Sequence, residues 1–449
     1  MSTQPFEEAR RFLAEHPDVA QVQILLTDNN GVLRGKSLRV HELEALYRQG
    51  RPLPSSIVAL TIDGDDSEET GLLWEVGDMD CTAFPVPGTL VRCPWLATPS
   101  AQVLLSMDGV RGMPAAVADP RRAAQRVLER FAAAGLTPVV AIELEFYLLE
   151  AGAPPPTPAQ PRGSCRHVYS IEEIEAQAPF LDDLYAACAI QGLPAETAIS
   201  EFGTGQMEIT LAHRTDALRA LDEAVMYRRA VKGIARRHGL RACFMAKPFA
   251  ELPGSGMHLH LSLNDAQGGN VFAAEDPEGS PLLRQAIGGM AATAAEAMAI
   301  FAPHANSYRR FSAKSYAPLA PTWGVNNRTV SLRVPTGAAP TRHIEHRICG
   351  ADANPYLAAA AALAGAHYGI TRRCDPGRPV EGDGYAASGA PPLPRHWPDA
   401  VERFAGSAVM KDYLGERFVE VYAAVKRTEY TRYFGEVTAQ DYAWYLHTV

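Results

Sequence analysis

Cysteine is sparse in this chain of 449 residues: Cys81, Cys93, Cys165, Cys188, Cys243, Cys349 and Cys374 are scattered, odd in number and never spaced C-x-x-C. That excludes a disulfide scaffold and a thiolate zinc site, and fits reduced thiols of a cytoplasmic protein. Basic charge is also short, with 42 Lys and Arg against 51 Asp and Glu for a formal net charge of -9. No basic stripe is available to displace counterions along a phosphate backbone, so no nucleic-acid partner is expected and small charged substrates fit better. No apolar run is long enough to span a bilayer; the stretch from Leu357 to Gly365 is too short, and the N-terminus lacks a basic segment followed by an apolar one. Neither membrane insertion nor export is expected. A P-loop of the form G-x-x-x-x-G-K-[ST] is missing, and so is any internal repeat.

What is present is a set of strands with apolar backs and ionisable fronts. Glu143 and Glu145 sit two apart in Val139-Val140-Ala141-Ile142-Glu143-Leu144-Glu145-Phe146. On a strand they share a face, about 6 to 7 Å from one another. Two like charges at such a place repel unless a cation lies between or beside them, and a metal is the simplest reason to put them there. The same alternation places His258, His260 and Ser262 on one face, then Gln206, Glu208 and Thr210, then Thr329, Ser331 and Arg333, with Glu345 and Arg347 completing the set. Five such strands would make a sheet whose inner surface holds cations and anionic groups together.

The length is more than one ordinary domain, and 47% hydrophobic with 21% charged residues is a soluble globular composition. Asn30-Gly31 between two apolar runs marks a hairpin in a small β-rich domain ending near Gly112. Asp119-Pro120 opens a helix that Gly135 stops, and a second helix runs from about Thr215 to His238. The expected domains are therefore 1–112 and 113–449. The Pro-rich stretch 151–166 and the Pro- and Gly-rich stretch 375–398 read as surface excursions of the larger one.

Six motifs occur in order: Glu143-Leu-Glu145-Phe, Glu201-Phe-Gly-Thr-Gly-Gln206-Met-Glu208, Gly254-Ser-Gly-Met-His258-Leu-His260-Leu-Ser262, Asn306-Ser-Tyr-Arg-Arg310, Asn327-Arg328-Thr-Val-Ser-Leu-Arg333 and Asn354-Pro-Tyr-Leu. In these the chain resembles the type I glutamine synthetase superfamily, from about Val19 to its C-terminus. Pro321-Thr-Trp323-Gly-Val-Asn-Asn327-Arg328 is most similar to the γ-glutamylpolyamine (glutamate–putrescine) synthetase branch. The resemblance implies an α+β fold: a small N-terminal β-grasp-like domain and a large catalytic domain with a curved antiparallel sheet flanked by helices. It also implies a homo-oligomer, a dodecamer of two hexameric rings, with sites formed between neighbouring subunits.

Carried over residue by residue, the resemblance makes Glu145, Glu201 and Glu208 ligands of one divalent ion and Glu143, His258 and Glu345 ligands of a second. Two or three Mg²⁺ (or Mn²⁺) are implied, and this hard donor set suits them. Arg310, Arg347 and the backbone of Gly254 would hold L-glutamate. Arg328 and Arg333 would brace the transferring phosphoryl group, and Glu196, His260 and Ser262 would contact ATP. The chemistry agrees, because a carboxylate and an amine do not condense in neutral water unless the carboxylate is first activated as an acyl phosphate at the expense of ATP.

The departures bear on the acceptor. Leu53-Pro54-Ser55-Ser56 stands where ammonia-using relatives carry an aspartate that helps bind ammonium, and Tyr316 stands where they carry a glutamate that takes a proton from it. Pro253 replaces an asparagine before Gly254, and His343 replaces an arginine that commonly helps hold phosphate. Leu53 and Tyr316 would favour a carbon-bearing amine by apolar contact and cation–π attraction. The expectation is an ATP-dependent ligase joining the γ-carboxylate of L-glutamate to a polyamine such as putrescine, or to a small monoamine. The acidic run Asp63 to Glu69 is a candidate for attracting the distal ammonium of a diamine. The alternatives are glutamine synthetase proper, using ammonium, and a non-catalytic structural relative. An unused cluster of carboxylates would only cost stability, which counts against the latter.

Overall fold

The computed structural model describes residues 6–107, 116–152, 155–159, 168–387 and 389–449. The expected boundary at residues 112 and 113, Cys165 and part of the 151–166 stretch lie outside them. The six described cysteines are free thiols.

The first hundred residues form a six-stranded sheet from β1 (Gln21–Thr27), β2 (Leu33–Arg39), β3 (Arg51–Pro54), β4 (Asp80–Pro85), β5 (Val91–Arg92) and β6 (Ser100–Ser106), in the order β2-β1-β6-β4-β3 with β5 on β6. The β1–β2 hairpin closes on the expected turn: Asp28 accepts from the backbone of Asn30 and Val32 at 2.9 and 2.8 Å, and Gly31 takes φ +73°. β1 runs parallel to β6 and antiparallel to β2, so this small β domain is mixed. Its core of Val22, Ile24, Leu26, Leu53 and Val103 is completed from the far end of the chain by Val421 and Val425 of the helix Glu416–Gly435.

The larger sheet has eight strands: β7 (Thr137–Glu150), β8 (Ala195–Ser200), β9 (Gln206–Leu211), β10 (Leu240–Cys243), β11 (Met257–Asn264), β12 (Trp323–Val325), β13 (Leu332–Val334) and β14 (Ile344–His346). Their order is β12-β13-β14-β11-β7-β9-β8, with β10 on β7. Every pairing is antiparallel except β12–β13. The sheet is curled and flanked by helices. Residues Leu144, Phe146, Ile209, Leu259 and Leu261 turn one face into a core shared with the helices Pro120–Ala133, Ala217–Arg237 and Pro355–Arg372. Asp119 and Asp216 cap the first two of these through their side chains, and Gly135 and Gly239, at φ +70° and +69°, end the turns that follow.

Two strand expectations change in detail. Of the run Thr329 to Val334 only Leu332–Val334 is a strand, because Asn327 accepts from the backbone and hydroxyl of Thr329 at 2.9 and 2.6 Å and holds that end in a turn. Arg347 falls one residue past β14, where its backbone N–H donates to Ser331 at 2.9 Å.

Candidate active site

β7 lies inside the larger sheet, so its outward carboxylates have partners on both sides. Across the ladder to β11, Glu143 is paired with His258; across the ladder to β9, Glu145 is paired with Glu208. On the other side of β11, His260 faces Glu345, which in turn faces Arg333. Strand alternation and register alone therefore gather acids, imidazoles and guanidiniums onto one surface. His258 Nδ1 lies 3.3 Å from Glu143 and 3.6 Å from Glu345. The donor atoms of Glu143, His258 and Glu345 all lie within 4.8 Å of one another, as do those of Glu145, Glu208 and His258. Glu201, expected with the second set, is half-buried at the start of the turn before β9 and belongs to neither triplet, although its charge acts on Glu145.

The two groups of acids are in opposite electrostatic states. Burial, and then repulsion from Glu201, pushes Glu145 up to about 7. Burial followed by Glu143, Glu145 and Glu201 pushes Glu208 well above the carboxylate range. Burial acts the same way on Glu345, but Arg347, His258 and His260 outweigh it and hold that group at about 2. Glu143 is likewise held low against burial, by hydrogen bonds from His258 and His260. Arg333 donates to Glu345 at 2.8 Å, and Arg347 donates to its other oxygen. A surface on which some carboxylates are neutralised by protein cations while Glu145 and Glu208 are left crowding each other fits divalent ions held by Glu145, Glu208, His258, Glu143 and Glu345.

The wall beside this surface is the Leu252–Gly256 segment. Arg310 is buried and donates to the carbonyls of Ile348 at 2.8 Å and Arg347 at 3.4 Å. A Cβ on Gly254 would lie 2.6 Å from the Ala246 carbonyl and 2.8 Å from Arg310 Cγ, so only glycine fits there. Gln206, which the alternation put on the right face without a role, ties the segment to the acids: its amide lies 3.1 Å from the Gly254 carbonyl and 3.3 Å from Glu145. Glu145 also accepts the Gly256 N–H at 2.8 Å, and Tyr147 donates to the Pro253 carbonyl at 2.8 Å.

Further out, Ser262 is buried on β11 and Glu196 is exposed on β8. Arg328 and Tyr316 line one open cleft of about 750 Å³ together with Asn326, Asp276 and Glu278. Tyr316 is 48% exposed, takes φ +60°, and stacks on Phe202 with ring centroids 5.9 Å apart. Phe202 had no signal of its own in the sequence, because its partner lies more than a hundred residues away.

Leu53 corrects an expectation. Its side chain is fully buried in the core of the small sheet, on β3 opposite Cys81. A leucine on a strand that faces the core packs there; what this position withholds from a substrate is a carboxylate. In the acidic run, Asp63 and Asp65 lie 3.6 and 2.9 Å from Arg432 of the helix Glu416–Gly435, so part of that charge is already answered within the chain.

Residues 117–445 match the family model described as glutamine synthetase, catalytic domain. The chain belongs to the glutamine synthetase family. It is thus a ligase that forms carbon–nitrogen bonds, and ligases of this family use ATP and divalent metal ions. Gamma-glutamylputrescine synthetase PuuA of Escherichia coli (strain K12) is 39% identical over 450 residues, covering 98% of this chain and 94% of the relative. Glutamate–isopropylamine ligase of Pseudomonas sp is 32% identical, covering 98% of each. The solved structure of a GmaS/ADP complex superposes with a TM-score of 0.86 at 28% identity, over 98% of this chain and 99% of that one. No helix among the described residues is long and apolar enough to cross a membrane.

Proposed function

We propose that this ligase joins the γ-carboxylate of L-glutamate to an amine through γ-glutamyl phosphate, with a polyamine such as putrescine as the leading acceptor. The observation that carries the reading is the placement of two metal-type triplets, Glu143/His258/Glu345 and Glu145/Glu208/His258, against a wall holding buried Arg310 and Arg347. In this reading Glu145, Glu201 and Glu208 hold one divalent ion and Glu143, His258 and Glu345 a second. Mg²⁺ bound there would neutralise phosphate oxygens and lower the barrier to phosphoryl transfer. Arg310, Arg347 and the Gly254 backbone take the carboxylates of glutamate. Arg328 and Arg333 face the equatorial oxygens of the transferring group, and Glu196, His260 and Ser262 contact the nucleotide.

Acceptor choice rests on Tyr316 and on the missing carboxylate at Leu53. An exposed aromatic face attracts an alkylammonium with an apolar stem more than a small hydrated ammonium ion. The names of the relatives point the same way, since two of them act on carbon-bearing amines. The division of the chain at residues 112 and 113, a cytoplasmic location and assembly as two hexameric rings belong to the same reading. Phosphate release from ATP and L-glutamate with Mg²⁺ should be measured against ammonium, methylamine, ethanolamine, putrescine and spermidine. Turnover fastest with putrescine or spermidine supports the proposal; preference for ammonium overturns the acceptor, and silence with every amine overturns the ligase reading.

A further inference from the structure

A second cluster of donors lies at the edge of the sheet and consists of imidazoles alone. His213 follows β9, His260 is in the middle of β11 and His343 immediately precedes β14, and one ring nitrogen of each lies within 4.8 Å of the others. The ring centroids are 5.2 Å apart for His260 and His343, 5.8 Å for His213 and His260, and 5.6 Å for His213 and His343. His260 Nδ1 and His343 Nε2 face each other at 3.1 Å.

His343 Nδ1 is 2.7 Å from the Thr341 carbonyl, which can only accept, so in the neutral ring the proton is on Nδ1 and Nε2 is a bare lone pair. His260 Nε2 lies 3.1 Å from a Glu143 oxygen, within ion-pair distance. The bare His343 nitrogen thus faces His260 Nδ1, and His213 brings a third imidazole nitrogen to the same place, an all-nitrogen donor set that a metal ion can take. Nitrogen–metal distances of about 2.0 to 2.1 Å put neighbouring ligands about 3.4 Å apart, close to the 3.1 Å between His260 and His343.

We propose that His213, His260 and His343 form a binding site for a borderline transition-metal ion of the Zn²⁺ class, adjoining the carboxylate surface through His260. Imidazole selects zinc, nickel and copper over magnesium, whereas the Glu triplets prefer the hard ion, so both kinds of site operate in the same solution. The Thr341 carbonyl supplies the outer hydrogen bond that fixes the His343 ring for coordination. The site stands on its own donors and does not depend on the identity of the amine.

The test is Zn²⁺ binding to the full chain with Mg²⁺ in large excess, followed by competition with a chromogenic chelator, and repeated with Co²⁺ as an optical probe. The expected result is Zn²⁺ retained against Mg²⁺, weakened tenfold or more by His213→Ala and by His343→Ala and abolished in the double variant, with Mg²⁺ binding unchanged. His213 is exposed and His343 partly so, and unaltered circular dichroism would show that both variants fold. Zn²⁺ binding that is absent, fully displaced by Mg²⁺, or identical in wild type and double variant overturns the proposal.

Discussion

Glu145 on β7 and Glu208 on β9 stand directly opposite each other in an antiparallel ladder. Both carboxyl groups are pushed upward, Glu145 to about 7, by burial and by neighbouring acids. A carboxyl whose folded-state value is raised stabilises the fold fully below its unfolded value of about 4.5, and that contribution is lost as pH rises through about 7. Glu345, held at about 2, loses its contribution only at far lower pH and leaves this window alone. The metal-free protein is therefore expected to lose thermal stability between pH 5 and pH 8. Excess Mg²⁺ should restore it, more at pH 8 than at pH 6, because the ion must displace protons at the lower pH. A saturating ion contributes about 2.7 kcal/mol at a hundredfold excess over its Kd. Differential scanning calorimetry with and without Mg²⁺ checks this, and a metal shift equal at both pH values would refute it.

The same crowding predicts that removing an acid helps the fold and harms the function. Glu208→Gln keeps the shape and deletes one of the mutually repelling charges. The metal-free midpoint should rise by about 1 °C for each kcal/mol gained, the shift expected for a chain of this length. Turnover should fall by about tenfold or more as metal affinity drops. A variant that loses stability without metal would show that the Glu145–Glu208 pair is held by something other than a missing cation.

Much of this surface was legible because strand alternation is a property of short sequence runs. The spacing of Glu143 and Glu145, of His258 and His260, and of Gln206 and Glu208 fixes which side chains share a face, and the register then sets them opposite one another. Leu53 shows where such reading fails. A substitution at a motif position says which group is missing, but only three-dimensional packing reveals that β3 turns this side chain into the core. The stacking of Phe202 on Tyr316 and the closure of the small sheet by Val421 and Val425 join residues far apart in the chain, and no local pattern records them.

Tyr316 allows a direct test of acceptor choice. It is half exposed, braced against Phe202, and lines the same cleft as Arg328. Replacing the ring by a carboxylate removes the cation–π face and offers a site for a small hydrated cation. Tyr316→Glu should lower kcat/KM for putrescine relative to ammonium by about tenfold, the equivalent of roughly 1.4 kcal/mol. Steady-state kinetics with both acceptors measures the ratio. An unchanged ratio would mean that the ring packs on Phe202 without meeting the amine.

The C-terminal helix is tied to the small sheet through a charge with no access to water. Lys426 is fully buried, its ammonium 2.9 Å from Glu429 and donating also to the Asn30 side chain; Glu429 accepts from Asn30 at 2.6 Å and from the Ile62 N–H at 2.8 Å. Asn30 belongs to the turn of the β1–β2 hairpin, so this network locks the helix Glu416–Gly435 onto the sheet whose core it completes. Removing one partner of a buried pair strands the other, at a cost of about 3 to 5 kcal/mol, whereas replacing both by apolar groups of similar volume is often neutral. Lys426→Met should thus lower the thermal midpoint sharply, and Lys426→Met combined with Glu429→Leu should recover part of the loss. The double variant still leaves Asn30 and the Ile62 N–H without Glu429, so recovery is expected to be incomplete. If the two substitutions add without any recovery, Lys426 and Glu429 contribute to this junction independently and not as a pair.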